Sequence, residues 1–138
     1  MTRARAIAVP AAIAALALGG CGGGESDDAK SALQDYVDAF AKGDGDRACS
    51  LLTKSTRDTF AARVAPITKS KDCATSIDKL SKQAGPELLG ALKDAKVSDV
   101  KVDGDRATAK LKSGSSTTTT QLRKEDGDWK VAGGPGTQ

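Results

Sequence analysis

The chain has no histidine, and only one tryptophan, one tyrosine, two phenylalanines and three cysteines among 138 residues. Each scarcity closes a class of function. Without histidine the usual serine–histidine–aspartate arrangement has no general base, and a zinc site around a cysteine pair lacks further ligands. No Gly-x-Ser-x-Gly elbow occurs, and no glycine-rich phosphate loop. With aromatics so few, the core must be built mainly from Ala, Val and Leu. Such a core is thin for its size and benefits from a covalent staple. A membrane span needs roughly twenty apolar residues. The N-terminal apolar run, Ile7 to Leu18, is shorter and carries Pro10.

What is present begins with that run. Arg3 and Arg5 precede it and Gly19-Gly20 follow it. This is the layout of a secretory signal peptide over residues 1–20. Cys21 stands directly after the glycines, with Leu18 three before it. A plain secreted protein with an incidental cysteine would show the same order. The Leu18-Gly19-Gly20-Cys21 stretch, however, resembles the bacterial lipobox. That resemblance implies a diacylglyceryl thioether on Cys21, which becomes the first mature residue. It implies a chain anchored in the cell membrane and facing the extracytoplasmic side. Two acyl chains hold where one does not, since each buried CH₂ contributes about 0.8 kcal/mol.

The whole chain carries 21 basic and 18 acidic residues, a net +3. Loss of Arg3 and Arg5 with the signal peptide leaves nineteen bases against eighteen acids. So even a balance argues against nucleic acid as a partner. The remaining cysteines are Cys49 and Cys73. Two cysteines in an exported domain usually pair, and closing a loop of about 25 residues contributes roughly 3–4 kcal/mol. Free thiols are the alternative; a metal would need ligands that the chain does not supply.

Residues 21–26 read as the lipidated cysteine and a flexible tether, 27–132 as a single domain and 133–138 as a frayed tail. Ala29, Leu33, Tyr36, Val37 and Phe40 recur at helical spacing in a first helix over 27–42. Ser26 or Asp27 is placed to cap its start and Gly43 its end. Asp44 caps a second helix over 46–53, carrying Cys49. A third, short helix starts at Ser55, carries Phe60 and Val64 and ends at Pro66, followed by a basic loop over 67–71. Asp72 caps a fourth over 73–83, and Pro86 opens a fifth through Leu88, Leu89 and Leu92.

The period changes at Lys96. Val97, Val100 and Val102 mark a strand whose uneven spacing suggests a bulge. Asp103-Gly104 signals a hairpin. Arg106 to Lys112 alternates, with Ala107, Ala109 and Leu111 inward. A Thr-rich strand over 116–124 follows, with Leu122 inward, then Asp126-Gly127 and a last strand over 128–132 with Trp129 and Val131. Helices first and a strand meander after them give an α+β class: N-terminal helices packed on a curved antiparallel sheet of about four strands.

The segments Tyr36-Val37-Asp38-Ala39-Phe40-Ala41-Lys42-Gly43-Asp44 and Ala48-Cys49-Ser50-Leu51-Leu52, then Cys73, then Glu125 to Val131, resemble the nuclear-transport-factor-two-like (cystatin-like) superfamily. They are most similar to small lipoproteins of high-GC Gram-positive bacteria. The resemblance implies helices packed into the concave face of a cone-shaped sheet. Tyr36, Phe40, Ala107, Ala109, Leu111 and Trp129 are then the residues that would line a pocket in the cone.

Asp-Gly-Asp occurs at Asp44, Asp103 and Asp126. A calcium loop would need a distal glutamate that none supplies, so turns and caps are the expected use. Asp35, Tyr36 and Asp38 form the most enzyme-like cluster, and some superfamily members use a buried tyrosine with carboxylates. Here the inward strand positions are apolar, so no matching acid and base stand opposite. Tyr36→Phe is expected to cost at most a buried hydrogen bond, about 1 kcal/mol. Lys69, Lys71, Lys79 and Lys82 make a loose basic patch around Cys73. It lacks the aromatics of a nucleic-acid surface; it could attract anionic lipid heads, and a solvated face is the plainer account. Thr117 to Thr120 offer hydroxyls to O-linked sugar or simply form a strand.

Neither a cofactor nor a metal is implied. The expected function is a membrane-anchored, non-catalytic accessory or interaction module with an envelope protein as partner. The alternatives are a carrier of a small apolar ligand in the cone and, behind it, an isomerase-like enzyme.

Overall fold

The computed structural model of the protein describes residues 24–133. The expected signal peptide, the expected lipidation site Cys21 and the tail beyond Gly133 lie outside them. Five helices precede four strands: α1 (Gly24–Lys42), α2 (Gly45–Ser50), α3 (Lys54–Thr68), α4 (Cys73–Gln83), α5 (Pro86–Lys93), β1 (Lys96–Asp103), β2 (Arg106–Ser113), β3 (Ser116–Glu125) and β4 (Asp128–Gly133). The strands form one antiparallel sheet in the order β1-β2-β3-β4, and the helices pack on its curved face. The α+β class is as the periodicity indicates.

α1 supplies the central helix. Ala29, Ala32, Leu33 and Val37 form its buried stripe, and Ala107, Ala109, Leu122 and Val131 meet the helices from the sheet in the same core. Small residues on both sides let helix and sheet approach closely, which is how a chain poor in aromatics fills its core. α1 ends in a Schellman motif. The Asp44 amide donates to the Ala39 carbonyl at 2.9 Å and the Gly43 amide to Phe40 at 3.1 Å. This requires the left-handed backbone of Gly43, at φ 72°.

Asp44 then caps α2 by accepting from the Arg47 amide. α2 lies so close to α4 that a Cβ on Gly45 would stand 2.1 Å from the Ala74 carbonyl oxygen. The Gly45 amide donates to Asp78 Oδ1 at 3.0 Å, and a Cys49–Cys73 disulfide joins the same two helices. The sheet's β4 edge is covered by the chain after α2. The Thr53 amide donates to the Val131 carbonyl and the Val131 amide to Leu51. At the other edge, β1 carries the expected bulge: the register shifts between Ser98 and Lys101, with Asp99 at φ 49°. Bulge and lysines together blunt that open edge.

Several boundaries differ from the sequence reading. Gly24–Ser26, expected as tether, form the first turn of α1, because Glu25 is anchored to the sheet as described below. α2 stops at Ser50 and not Thr53, since Thr53 turns to cap α3 by accepting from the Thr56 amide. α3 does not end at Pro66 but runs through it to Thr68 and closes on Lys69 at φ 54°. The carbonyl that Pro66 leaves without a donor is that of Ala62, an exposed residue that water can serve. Gly133, expected in the tail, is buried in β4. The β1–β2 loop is Gly104-Asp105, one residue later than expected, because Asp103 pairs with Arg106.

Candidate functional site

The concave face of the sheet is the first place to look for a pocket. Ala107, Ala109 and Trp129 are buried there, and Tyr36, Phe40 and Leu111 are half-buried against the same core. The Tyr36 and Phe40 rings lie 6.4 Å apart, centroid to centroid, and tilted by 55°. Burial of the Tyr36 hydroxyl pushes its pKa up to about 12, so the phenol is neutral at physiological pH. Among the described residues it has no hydrogen-bond partner, so Tyr36→Phe has no such bond to lose there. The expected pocket residues share this core but do not line one cleft. Trp129 borders one groove and Ala107 another. One polar atom inside is orphaned: Thr120 is 2% exposed, and its Oγ1 has no hydrogen-bond partner. Thr120 thus points inward and is unavailable to a sugar, whereas Thr117 and Thr119 are exposed.

At the rim, Glu25 joins α1 to the β3–β4 hairpin. Its carboxylate accepts from Lys124 Nζ at 2.6 Å and from Trp129 Nε1 at 2.9 Å. The Lys124 ammonium also lies 5.4 Å from the Trp129 ring centroid, within cation–π range. The Lys124 hydrogen bond, followed by that of Trp129, holds the Glu25 pKa below the usual carboxylate range. Sequence reasoning missed this residue by assigning it to a tether. The available signal was an acid in the first turn of a helix.

Next to it, a cleft of about 450 Å³ opens between α1, α2 and the hairpin. Asp28, Ser31 and Asp35 line it on one side and Arg47, Ser50, Asp128 and Lys130 on the other. Its charges are already partnered in part: Arg47 bridges Asp35 at 3.0 Å, and Lys130 Nζ donates to the Ser50 carbonyl at 2.6 Å. A second cleft, about 460 Å³, runs along α3 beside the disulfide, lined by Arg57, Asp58, Ala61, Ala62, Ala65, Lys71 and Cys73.

The basic patch around Cys73 is smaller than its sequence suggests. Lys79 Nζ donates to the Thr68 carbonyl at 2.8 Å, so it serves the C-terminus of α3. The three Asp-Gly-Asp segments occupy a helix cap and two hairpin loops. Among the described residues, no group of three or more acids or cysteines is placed to hold a metal ion, and no helix is long and apolar enough to cross a membrane.

Residues 19–132 match the model of a protein family described as a domain of unknown function, DUF4878. No curated protein and no solved structure matches the chain.

Proposed function

The chain belongs to the DUF4878 family, and from that premise we propose that it is an extracytoplasmic lipoprotein. In this reading Cys21 carries the lipid and the folded domain is a non-catalytic interaction module held at the membrane. The observation that carries it is the division of labour among three cysteines. Cys49 and Cys73 are joined to each other, as suits an oxidising compartment. Cys21 stands alone at the end of the apolar run, in the Leu-Gly-Gly-Cys order. Only Gly22 and Gly23 separate it from α1. At up to ~3.6 Å per residue, so short a spacer would hold the start of α1 and the adjoining β3–β4 hairpin close to the headgroups.

The architecture, helices on a curved antiparallel sheet, is the one expected of the nuclear-transport-factor-two-like superfamily, and we place the domain there. The module reading draws support from the carboxylates. Asp44 and Asp72 cap helices, Asp58 and Asp99 sit in ion pairs, and Glu25 is a fastener. Tyr36, with its raised pKa, is a poor base. The polar cleft between α1, α2 and the hairpin is the surface offered to an envelope protein. The buried, partnerless Thr120 hydroxyl favours a second reading, a carrier whose ligand supplies that hydrogen bond.

Fractionation of cells producing wild type and Cys21→Ser tests the anchoring: wild type in the membrane and the variant released is the expected pair. Wild type found wholly in the medium would contradict it. Crosslinking from the polar cleft, through a photoreactive residue at Ser31, tests the module. A discrete envelope protein should be captured by the chain carrying that residue alone and lost when Arg47→Glu is added.

A further inference from the structure

The convex face of the sheet, turned away from the helices, carries a feature unrelated to anything above. Arg106 on β2 and Arg123 on β3 are direct register partners. The Lys124 amide donates to the Asp105 carbonyl at 2.8 Å. That bond makes Arg106–Arg123 a non-hydrogen-bonded pair, the type in which facing side chains stand closest. Like charges directly opposite each other destabilise a sheet. Neither guanidinium finds an acid among the described residues, although Asp103 is the register partner of Arg106 on its other side.

Lys101 lies one row along on β1, opposite Thr108, and Thr108 is opposite Gln121. Together these residues border a shallow cleft of about 340 Å³. The Thr108 hydroxyl and the Gln121 amide on its floor also have no side-chain partner among the described residues.

We propose that this cleft binds a phosphoryl group, with Arg106 and Arg123 as its two forks and Lys101 as a third cation. The chemistry discriminates among anions. A carboxylate has two oxygens in one plane and is satisfied by one fork, whereas the three free oxygens of a phosphoryl group can take two guanidiniums and an ammonium from different directions. The Thr108 and Gln121 donors suit the same ligand. Asp103 reduces the local excess of charge, so the site favours a group of charge near two. A bound anion would also remove the Arg–Arg repulsion that the free protein carries.

The source of the phosphoryl group is either a lipid headgroup or a free phosphate compound. Lys124, the residue after Arg123, holds Glu25 at the start of α1, so the cleft lies at the end of the domain where the proposed anchor would attach. The site itself does not depend on Cys21, and the soluble Cys21→Ser chain serves for the test. Failure of lipidation therefore leaves it standing.

Inorganic phosphate titrated into that chain at constant ionic strength should move the amide resonances of Lys101, Arg106, Thr108, Gln121 and Arg123, saturably. Arg106→Gln/Arg123→Gln should abolish the movement. The same pair should unfold at higher urea than its parent without phosphate, because the repulsion is gone, and should lose the phosphate-induced gain. Sedimentation with vesicles containing phosphatidic acid, whose headgroup is a phosphomonoester, against phosphatidylcholine then separates the sources. Pelleting that the pair abolishes identifies a headgroup, and saturable phosphate binding without pelleting identifies a free compound. Either supports the site. Resonance shifts spread over all lysines, or an Arg106→Gln/Arg123→Gln chain destabilised equally with and without phosphate, would overturn it.

Discussion

Replacing both Cys49 and Cys73 with alanine removes the staple between α2 and α4, and its cost can be worked from the structure. The bridge spans a sequence separation of 24. Closing a loop of that length restricts the unfolded chain by about 3.5 kcal/mol on the chain-entropy scale. Both cysteines are buried, at 6% and 7% exposure, so losing two sulfurs from the core adds roughly 1 kcal/mol. The total, about 4.5 kcal/mol, is a large share of the ~5–15 kcal/mol that holds a small domain together. The damage should start in α2. It has six residues, too few to persist without tertiary support. Urea unfolding of the Cys21→Ser chain, with and without the two alanines, reads the total. With an m-value of about 1.5–2 kcal/mol/M, the midpoint should fall by roughly 2–3 M. Hydrogen exchange should show the Ala48 and Leu51 amides, both bonded within or just after α2, losing protection first. A midpoint within ~0.3 M of the parent, inside the usual scatter of such transitions, would refute the reasoning: the packing of α2 on α4 would then suffice alone.

Gly45→Ala should strike the same contact less severely and by a different route, since its Cβ would meet the Ala74 carbonyl backbone; thermal unfolding should show a loss of about 2–3 kcal/mol, and α2 displaced from α4. Glu25, Asp58, Asp72 and Asp99 all have pKa values lowered on folding, by hydrogen bonds from Lys124, Lys54, Thr75 and Lys110 respectively. Depressed carboxylates bind fewer protons folded than unfolded, so their contribution is complete above about pH 5 and is lost as pH falls through the folded values. Stability should decline below about pH 4, and Glu25→Gln should flatten part of that decline while loosening the start of α1. Tyr36→Phe should change stability by less than about 0.5 kcal/mol, because its hydroxyl has no hydrogen bond to lose among the described residues; a larger loss in calorimetry would reveal a partner for that hydroxyl.

The fold was legible because local signals agreed with one another. The helical spacing of Ala29, Leu33 and Val37, the glycine at the αL position after Lys42, the caps at Asp44 and Asp72 and the alternation of Ala107 and Ala109 each stand in the structure as their chemistry requires. What was not legible depends on distance in sequence. Glu25 belongs to α1 because Lys124 and Trp129 reach it from about a hundred residues away, and no local pattern shows that. Thr53 caps α3 while its backbone pairs with Val131, which shortens α2 against its own propensity. Pro66 ends a helix by rule, yet its position near the end of α3 leaves only one exposed carbonyl wanting. The clefts follow the same logic. Arg106 and Arg123 become neighbours only through the strand register, and Lys79 leaves the basic patch only because the end of α3 comes to rest beside it.

The central claim is that Cys21 carries lipid and the domain behind it works at the membrane. Mass spectrometry of the N-terminal peptide from the membrane fraction tests it most directly. The account predicts a mature chain beginning at Cys21, its mass raised by a diacylglyceryl thioether, and no such peptide from Cys21→Ser cells. A mature chain in the medium with an unmodified Cys21, or one that begins elsewhere, would contradict it.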